Sequence, residues 1–294
     1  MKVDDATMEA IMAAVVRRLA AEVEEAAPGS TTKGCGGAEG HACTADPRPV
    51  HSVDAPIYEA ALPKLVALTP SLVAVGRAGN RFKTDLSLRI REGQADARDA
   101  VHSEVDPAWA KANDCIPLQT KARDRHEYLL YPNQGRRLDA PSRTAVEGFA
   151  GSKPDVQIIV GDGLSPNAIT VNGAATLAAM RRAFATRGWR TGATFFVKFA
   201  RIGVADEIGV ATGARATVIL VGERPGLGTG DSLSVYLAVN PKLDQDNAEK
   251  NCISNVRPIG IAPSEAASLS VTILDRSFER GCGGVALGVG WGRQ

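Results

Sequence analysis

The chain has 294 residues and a mass of 30.8 kDa, with 34 Lys and Arg against 33 Asp and Glu, a formal charge of +1. That balance, with aromatics at only 5%, argues against a nucleic-acid binder, which needs a basic surface for phosphates and stacking platforms for bases. No apolar run approaches the ~20 residues of a membrane span, and a chain of this length can bury roughly 75% of its unfolded surface without disulfide staples.

The chain starts with a segment, Asp4 to Ala26, that the spacing predicts as an amphipathic helix (residues 1–26 as a unit). Met8, Met12, Val15, Leu19 and Val23 recur every three or four residues and share a face. Glu9, Arg17 and Arg18 break any continuous secretory core, and Pro28-Gly29 stops the helix. Residues 27–56 read as a flexible linker, rich in Gly, Pro, Ser and Thr. Cys35, His41 and Cys43 fall there without the tight spacing of a zinc site. The five cysteines are odd in number and scattered, unlike a secreted framework, so a cytoplasmic protein is expected. A helix on a tether has two readings: it docks on its own core, or it recognises an apolar groove elsewhere.

Residues 57–151 read as mainly helical, with helical spacing over Leu62 to Leu68 and Leu86 to Val105. Between these lies a glycine-basic loop, Gly76 to Arg81. Extended pieces at Ile116 to Lys121 and Tyr128 to Tyr131 are expected to pair as a hairpin. Residues 152–294 change character. Val156 to Val160, Thr194 to Ala200, Thr217 to Val221 and Leu233 to Val239 are short apolar runs typical of buried strands. Helical patterns follow at Leu177 to Phe184, Val204 to Val210 and Pro263 to Arg280. This alternation predicts an α/β fold: a Rossmann-like, mainly parallel sheet with helices on both faces.

Two glycine-rich loops, residues 161–166 and 222–228, follow predicted strands. Ligands of open α/β sheets bind beyond the carboxyl ends of the strands, where glycine lets backbone approach a ligand. Neither loop is a dinucleotide fingerprint or a P-loop. Glu223 sits at a strand tip, where it would accept from ligand amides or pair with an arginine. Cys252 has no histidine nearby in sequence to activate it. Asp162 would cap the next helix or bind a ligand hydroxyl. No catalytic acid–base pair and no metal set can be assigned.

These residues carry a resemblance. Val160-Gly161-Asp162-Gly163-Leu164-Ser165, Thr194-Phe195-Phe196-Val197 with Arg201, Val221-Gly222-Glu223-Arg224-Pro225-Gly226-Leu227-Gly228 and Cys252-Ile253-Ser254-Asn255 occur in that order. Upstream stand Gly76-Arg77-Ala78-Gly79 and Gly135-Arg136-Arg137-Leu138. The set resembles the small subunit of ethanolamine ammonia-lyase, from about Val75 to the C-terminus. The resemblance implies an adenosylcobalamin-dependent radical conversion of ethanolamine to acetaldehyde and ammonia. It implies a large TIM-barrel subunit as partner, with cobalamin held between the two, in a hexamer of heterodimers. Substrate contacts would lie mostly on the large subunit, in keeping with the missing acid–base set.

The family's cobalamin-binding positions fall on Ile202, Glu223 and Cys252. The resemblance implies apolar support from Ile202, hydrogen bonding between Glu223 and a corrin amide, and close packing by Cys252. The glycine loops would border the nucleotide tail. Asp124-Arg125-His126 begins the D-x-H-x-x-G motif of proteins that replace the cofactor's lower base, but Leu129 takes the glycine position. His126 therefore reads as an ordinary helical-region histidine. Glu92-Gly93-Gln94 departs from the D-H-A common in relatives. The N-terminal helix would address the chain to a bacterial microcompartment shell. Two alternatives remain open at this level: a stand-alone nucleotide-binding α/β enzyme, and a microcompartment interaction protein.

Overall fold

The computed structural model describes residues 52–57, 59–68 and 71–288. The proposed N-terminal helix and nearly all of the linker lie outside the described residues. Six strands form one sheet: β1 (Cys115–Gln119), β2 (Val156–Gly161), β3 (Thr194–Lys198), β4 (Ala216–Gly222), β5 (Leu233–Val239) and β6 (Asn251–Val256). Their spatial order is β1-β3-β2-β4-β5-β6. Every residue of β2 and β4 is buried. That is why these strands read as continuous apolar runs rather than alternating ones. Each buried Val or Ile contributes about 1.5–3 kcal/mol of transfer free energy.

Helices cover both faces. Starting from α1 (Leu62–Ala67), the chain forms α2 (Thr84–His102), α3 (Pro107–Ala112), α4 (Arg125–Leu130), α5 (Ala140–Glu147), α6 (Ala174–Thr186), α7 (Val204–Thr212) and α8 (Pro263–Arg280). On one face Leu177, Met180 and Phe184 of α6 and Ile273 and Leu274 of α8 pack on Val156, Ile158 and Val160. On the other, Val204, Ala205 and Ile208 of α7 and Val146 of α5 pack on Ile159, Phe195, Ile219 and Val221. The helix period of 3.6 and the strand period of 2 meet across each interface. Pro263 starts α8 at its first turn, and Gly281 ends it with φ +67°, the left-handed cap that glycine adopts without strain. A π turn, Ile169–Gly173, leads into α6. Among the described residues no helix is long and apolar enough to cross a membrane.

Two expectations change. First, the sheet is mixed, not mainly parallel throughout. Strands β1, β3, β2 and β4 are parallel, but β5 is antiparallel to β4 and β6 to β5. The link between β4 and β5, residues 223–232, contains no helix. A parallel return needs a crossover of a dozen or more residues, usually helical, so the short link turns the chain back. Second, no hairpin forms between residues 116–121 and 128–131. The first piece is edge strand β1, parallel to β3 in the register Cys115↔Thr194 to Gln119↔Lys198. The second is helix α4. Asp124 caps it by accepting from the Glu127 N–H at 2.8 Å, and Glu127 reaches back to the Arg123 N–H at 2.8 Å. That D-x-x-E signature favours a helix start. The segment Asn251–Val256, to which the sequence reading assigned no element, is strand β6.

The basic loop at residues 76–81 is a small ladder, Arg77–Ala78 against Arg81–Phe82.

Candidate binding cleft

The chain leaves β2 toward α6 on one face and leaves β3 toward α7 on the other. Adjacent strands whose connections diverge open a crevice at their carboxyl ends. A cleft of about 600 Å³ lies there. Its floor is Gly163 and Leu164 after β2, Ala200 to Gly203 after β3, and Val221 to Arg224 at the end of β4. Ser234 and Tyr236 of β5 and Ser254 of β6 complete the sheet side; Tyr128, Pro132 and Arg136 form a wall.

The two glycine loops are adjacent, as β2 and β4 pair directly. Their glycines serve each other. Gly163 has φ +62°, and a Cβ there would meet the Gly222 carbonyl oxygen at 2.3 Å; a Cβ on Gly222 would meet the Ser165 oxygen at 2.1 Å. The Leu164 N–H donates to the Gly222 carbonyl at 3.1 Å. Close loop packing, rather than ligand approach alone, therefore demands glycine at both positions.

Glu223 is held by three donors. Ser232 Oγ donates at 2.6 Å to Oε2, while Ser234 Oγ and the Asn255 N–H, the latter at 2.9 Å, donate to Oε1. Strand alternation puts Ser232, Ser234 and Tyr236 on one side of the chain. Glu223 makes no ion pair with Arg224. A carboxylate offers about four acceptor sites, so one remains for a donor in the cleft.

Cys252 lies opposite Tyr236 across the β5–β6 ladder, with its thiol 3.9 Å from Ser234 Oγ. Burial pushes the thiol pKa up, against the pull of its Tyr236 and Ser234 hydrogen bonds. The thiol is therefore protonated at neutral pH, unlike an activated nucleophile. Tyr236 is itself pushed up to about 12, first by burial and then by Cys252. Ile202 lines the cleft and packs against the core of the α7 face. So Ile202 and Glu223 line the cleft, and Cys252 sits beside Ser234 and Tyr236 without lining it.

Asp162 takes neither of its expected roles. It is buried at 2% exposure. Its carboxylate accepts from Arg125 Nη2 at 2.9 Å and from the Ala200 N–H at 3.0 Å. Burial pushes this carboxyl up, and Arg125 with neighbouring backbone N–H groups pulls it back. Arg125 also donates to the Gly163 carbonyl at 2.8 Å. The pair thus ties α4 to the loops after β2 and β3, two of the three segments that floor the cleft. Phe199, at φ +58°, turns the chain after β3 in the left-handed region; its carbonyl accepts from Thr120 Oγ1 at 2.9 Å. Such a turn in a bulky residue costs on the order of 1–3 kcal/mol and persists when its surroundings fix it. Tyr128 donates to the Ala200 carbonyl at 3.0 Å. His126 is exposed on α4 and does not line the cleft.

Sequence reasoning missed Tyr128, Arg136 and Tyr236 as cleft residues, and Arg125 as the buried support beneath them. Arg136 carried a signal, since it stands in Gly135-Arg136-Arg137-Leu138. Tyr236 sits inside a strand read only as core. Gly93, in Glu92-Gly93-Gln94, contacts the second glycine loop: a Cβ there would lie 3.1 Å from Leu227 Cδ2.

Comparison with known proteins follows the same residues. The family described as ethanolamine ammonia-lyase light chain matches residues 59–288. The ethanolamine ammonia-lyase small subunit of Clostridium acetobutylicum is 37% identical over 231 residues, covering 79% of this chain and 96% of that protein. The small subunit of Ralstonia nicotianae is 39% identical over 229 residues, covering 75% and 85%.

Proposed function

The chain belongs to the ethanolamine ammonia-lyase light-chain family, and from that premise we propose that its cleft forms one wall of an adenosylcobalamin site. It is a small subunit of an ammonia-lyase. The proposed partner is a large TIM-barrel subunit, in a hexamer of heterodimers, and the proposed reaction turns ethanolamine into acetaldehyde and ammonia. The observation that supports this is convergence. Ile202, Glu223 and Cys252 come from three separate stretches of chain, yet two line one cleft and the thiol of the third lies 3.9 Å from Ser234 Oγ, a residue that lines it.

The residues present fit such a ligand. A corrin ring is broad and apolar on its faces and edged with amides. Ile202, Leu164 and Val221 supply apolar surface. Glu223 supplies an oriented acceptor for an amide N–H. The small thiol of Cys252 lets the β5–β6 wall stay close. A volume of about 600 Å³ falls within the usual range of ligand sites; a cobalamin is larger, so a second wall is needed. When bound, adenosylcobalamin supplies the radical chemistry that side chains cannot. This chain's residues bind, orient and exclude water. None of the cleft-lining residues is a histidine or aspartate, so proton handling falls to the partner.

The test is co-expression with the cognate large subunit and assay with and without adenosylcobalamin. Activity only with both subunits and the cofactor is expected. Activity from this chain alone, or from a complex indifferent to the cofactor, refutes the reading. The proposal extends to the N-terminal segment, residues 1–26, as an address to a microcompartment shell. A reporter fused to it and left diffuse among assembled shells would refute that part.

A further inference from the structure

The cleft has more positive charge than its own residues use. Three arginines, Arg136, Arg201 and Arg224, line it against one carboxylate, Glu223. Glu223 is occupied by Ser232, Ser234 and the Asn255 N–H. Arg201 spreads its guanidinium over the Tyr128 ring at 4.3 Å and donates to the Tyr128 carbonyl at 3.1 Å. Arg224 is exposed to water.

Arg136 differs from these. It is half-buried, yet among the described residues it makes no side-chain hydrogen bond or ion pair. Its neighbour Arg137 is matched by Asp244 at 2.6 Å. The carboxylate that feels the Arg136 charge is Asp206, which is buried and already bridged by Lys250 at 2.8 Å. Below Arg136 lies Gly203, where a Cβ would come within 2.8 Å of the Arg136 Nε. The absent side chain gives the guanidinium its seat on the cleft wall. A partly desolvated guanidinium with no acceptor is costly, and an anion in the cleft would relieve that cost.

We propose that Arg136 is the anion contact of the cleft and holds the phosphodiester of the cofactor's nucleotide tail. This rests on the cobalamin reading above. The polar edge of a cobalamin is otherwise built of neutral amides and hydroxyls, so the phosphodiester is its one anionic group. The planar fork of arginine matches two phosphate oxygens at once.

The test uses the complex of this chain with its large subunit. Cyanocobalamin and dicyanocobinamide are titrated separately by equilibrium dialysis and read by absorbance. The second keeps the corrin and its amides but lacks the phosphodiester, ribose and benzimidazole. Arg136→Ala is expected to weaken cyanocobalamin by about tenfold or more and to leave dicyanocobinamide within about twofold. Arg136→Lys keeps the charge without the fork, and a smaller loss confined to cyanocobalamin is expected. It carries the test if the alanine variant fails to assemble. Equal losses for both corrinoids, or no loss for either, overturn the proposal. So does an Arg136→Ala complex that dissociates while Arg136→Lys binds both ligands like the wild type, which would assign Arg136 to a carboxylate of the large subunit. A wild-type complex that binds neither corrinoid overturns the cobalamin reading itself, and this inference with it.

Discussion

Glu223→Ala separates a holding role from a reacting one. The substitution removes the acceptor of three donors, of which Ser232 is 4% exposed and Ser234 3%. A hydrogen bond to a charged group is worth about 1.5–3 kcal/mol net, and a buried donor left unpaired costs about 1–3 kcal/mol. Hydroxyls can rotate to other acceptors, and removing a partly buried carboxylate recovers desolvation. The expected loss of stability is therefore about 2–3 kcal/mol, well below the sum of the three bonds. The proposed bond to a ligand amide is a further charged bond, so cobalamin affinity should fall about ten- to a hundredfold. Equilibrium dialysis of the assembled complex measures that affinity. Steady-state assay across adenosylcobalamin concentration then shows a raised half-saturation value with a nearly unchanged saturated rate. Glu223→Gln keeps a carbonyl for Ser234 and Asn255, and Ser232 can rotate to accept. Its stability should stay within about 1 kcal/mol of the parent. An assembled Glu223→Ala complex with unchanged affinity refutes the role, as does a fall in saturated rate at unchanged half-saturation.

Other outcomes follow from the same geometry. Arg125→Ala leaves Asp162 buried with backbone donors alone, so urea unfolding should show a loss of about 3–5 kcal/mol; a loss under 1 kcal/mol would refute the lock between α4 and the loops. Cys115 is buried, and burial pushes its thiol up to about 11 from 9. Its folded pKa exceeds its unfolded one, so its contribution is complete below pH 9 and is lost as pH rises through 11. Stability should fall by about 2–3 kcal/mol over that window, and Cys115→Ala should flatten this part of the fall in pH-dependent unfolding. Gly93 lies inside α2, where alanine is favoured by about 0.5–1 kcal/mol. Leu227, 45% exposed on its loop, can yield, so Gly93→Ala should raise the melting temperature of the chain; a lowered one would show that the loop is pinned to α2.

Strands β2, β4 and β5 and helix α8 were legible because apolar, β-branched runs or helical periodicity stood between Gly and Pro breaks. The direction of β5 was not, because an apolar run reads the same in either sense; only the helix-free link of residues 223–232 carries that information. Strand β6 was hidden by Asn251, Ser254 and Asn255. It is an outer strand with two exposed positions, so its pattern is not a core pattern. Strand β1 was legible as an extended piece despite Pro117, which an edge strand tolerates, but its partner β3, some 79 residues away in sequence from Cys115 to Thr194, left no local sign. Within the cleft, the glycine loops and Glu223 were visible as local motifs. The lock of Arg125 on Asp162 joins residues 37 apart in sequence. It has no local signature, because a buried ion pair is a property of two distant segments meeting.

The arrangement of charge explains what kind of wall this is. Glu223 is fixed by three donors, Asp162 by Arg125 and the Ala200 N–H, and the turn after β3 by Thr120. Groups locked before a ligand arrives lose little freedom on binding, which is where preorganised sites gain affinity. The same locking removes reactivity. Cys252 and Tyr236 are both held in their protonated forms at neutral pH by burial, and the one lining carboxylate already spends most of its acceptor capacity within the protein. A general base needs a free lone pair near the working pH and within reach of the substrate proton. This cleft offers surplus guanidinium charge and apolar surface instead. Such a wall suits a large, amide-edged ligand with a single negative charge, and under the proposed reading the proton-transfer groups belong to the partner subunit.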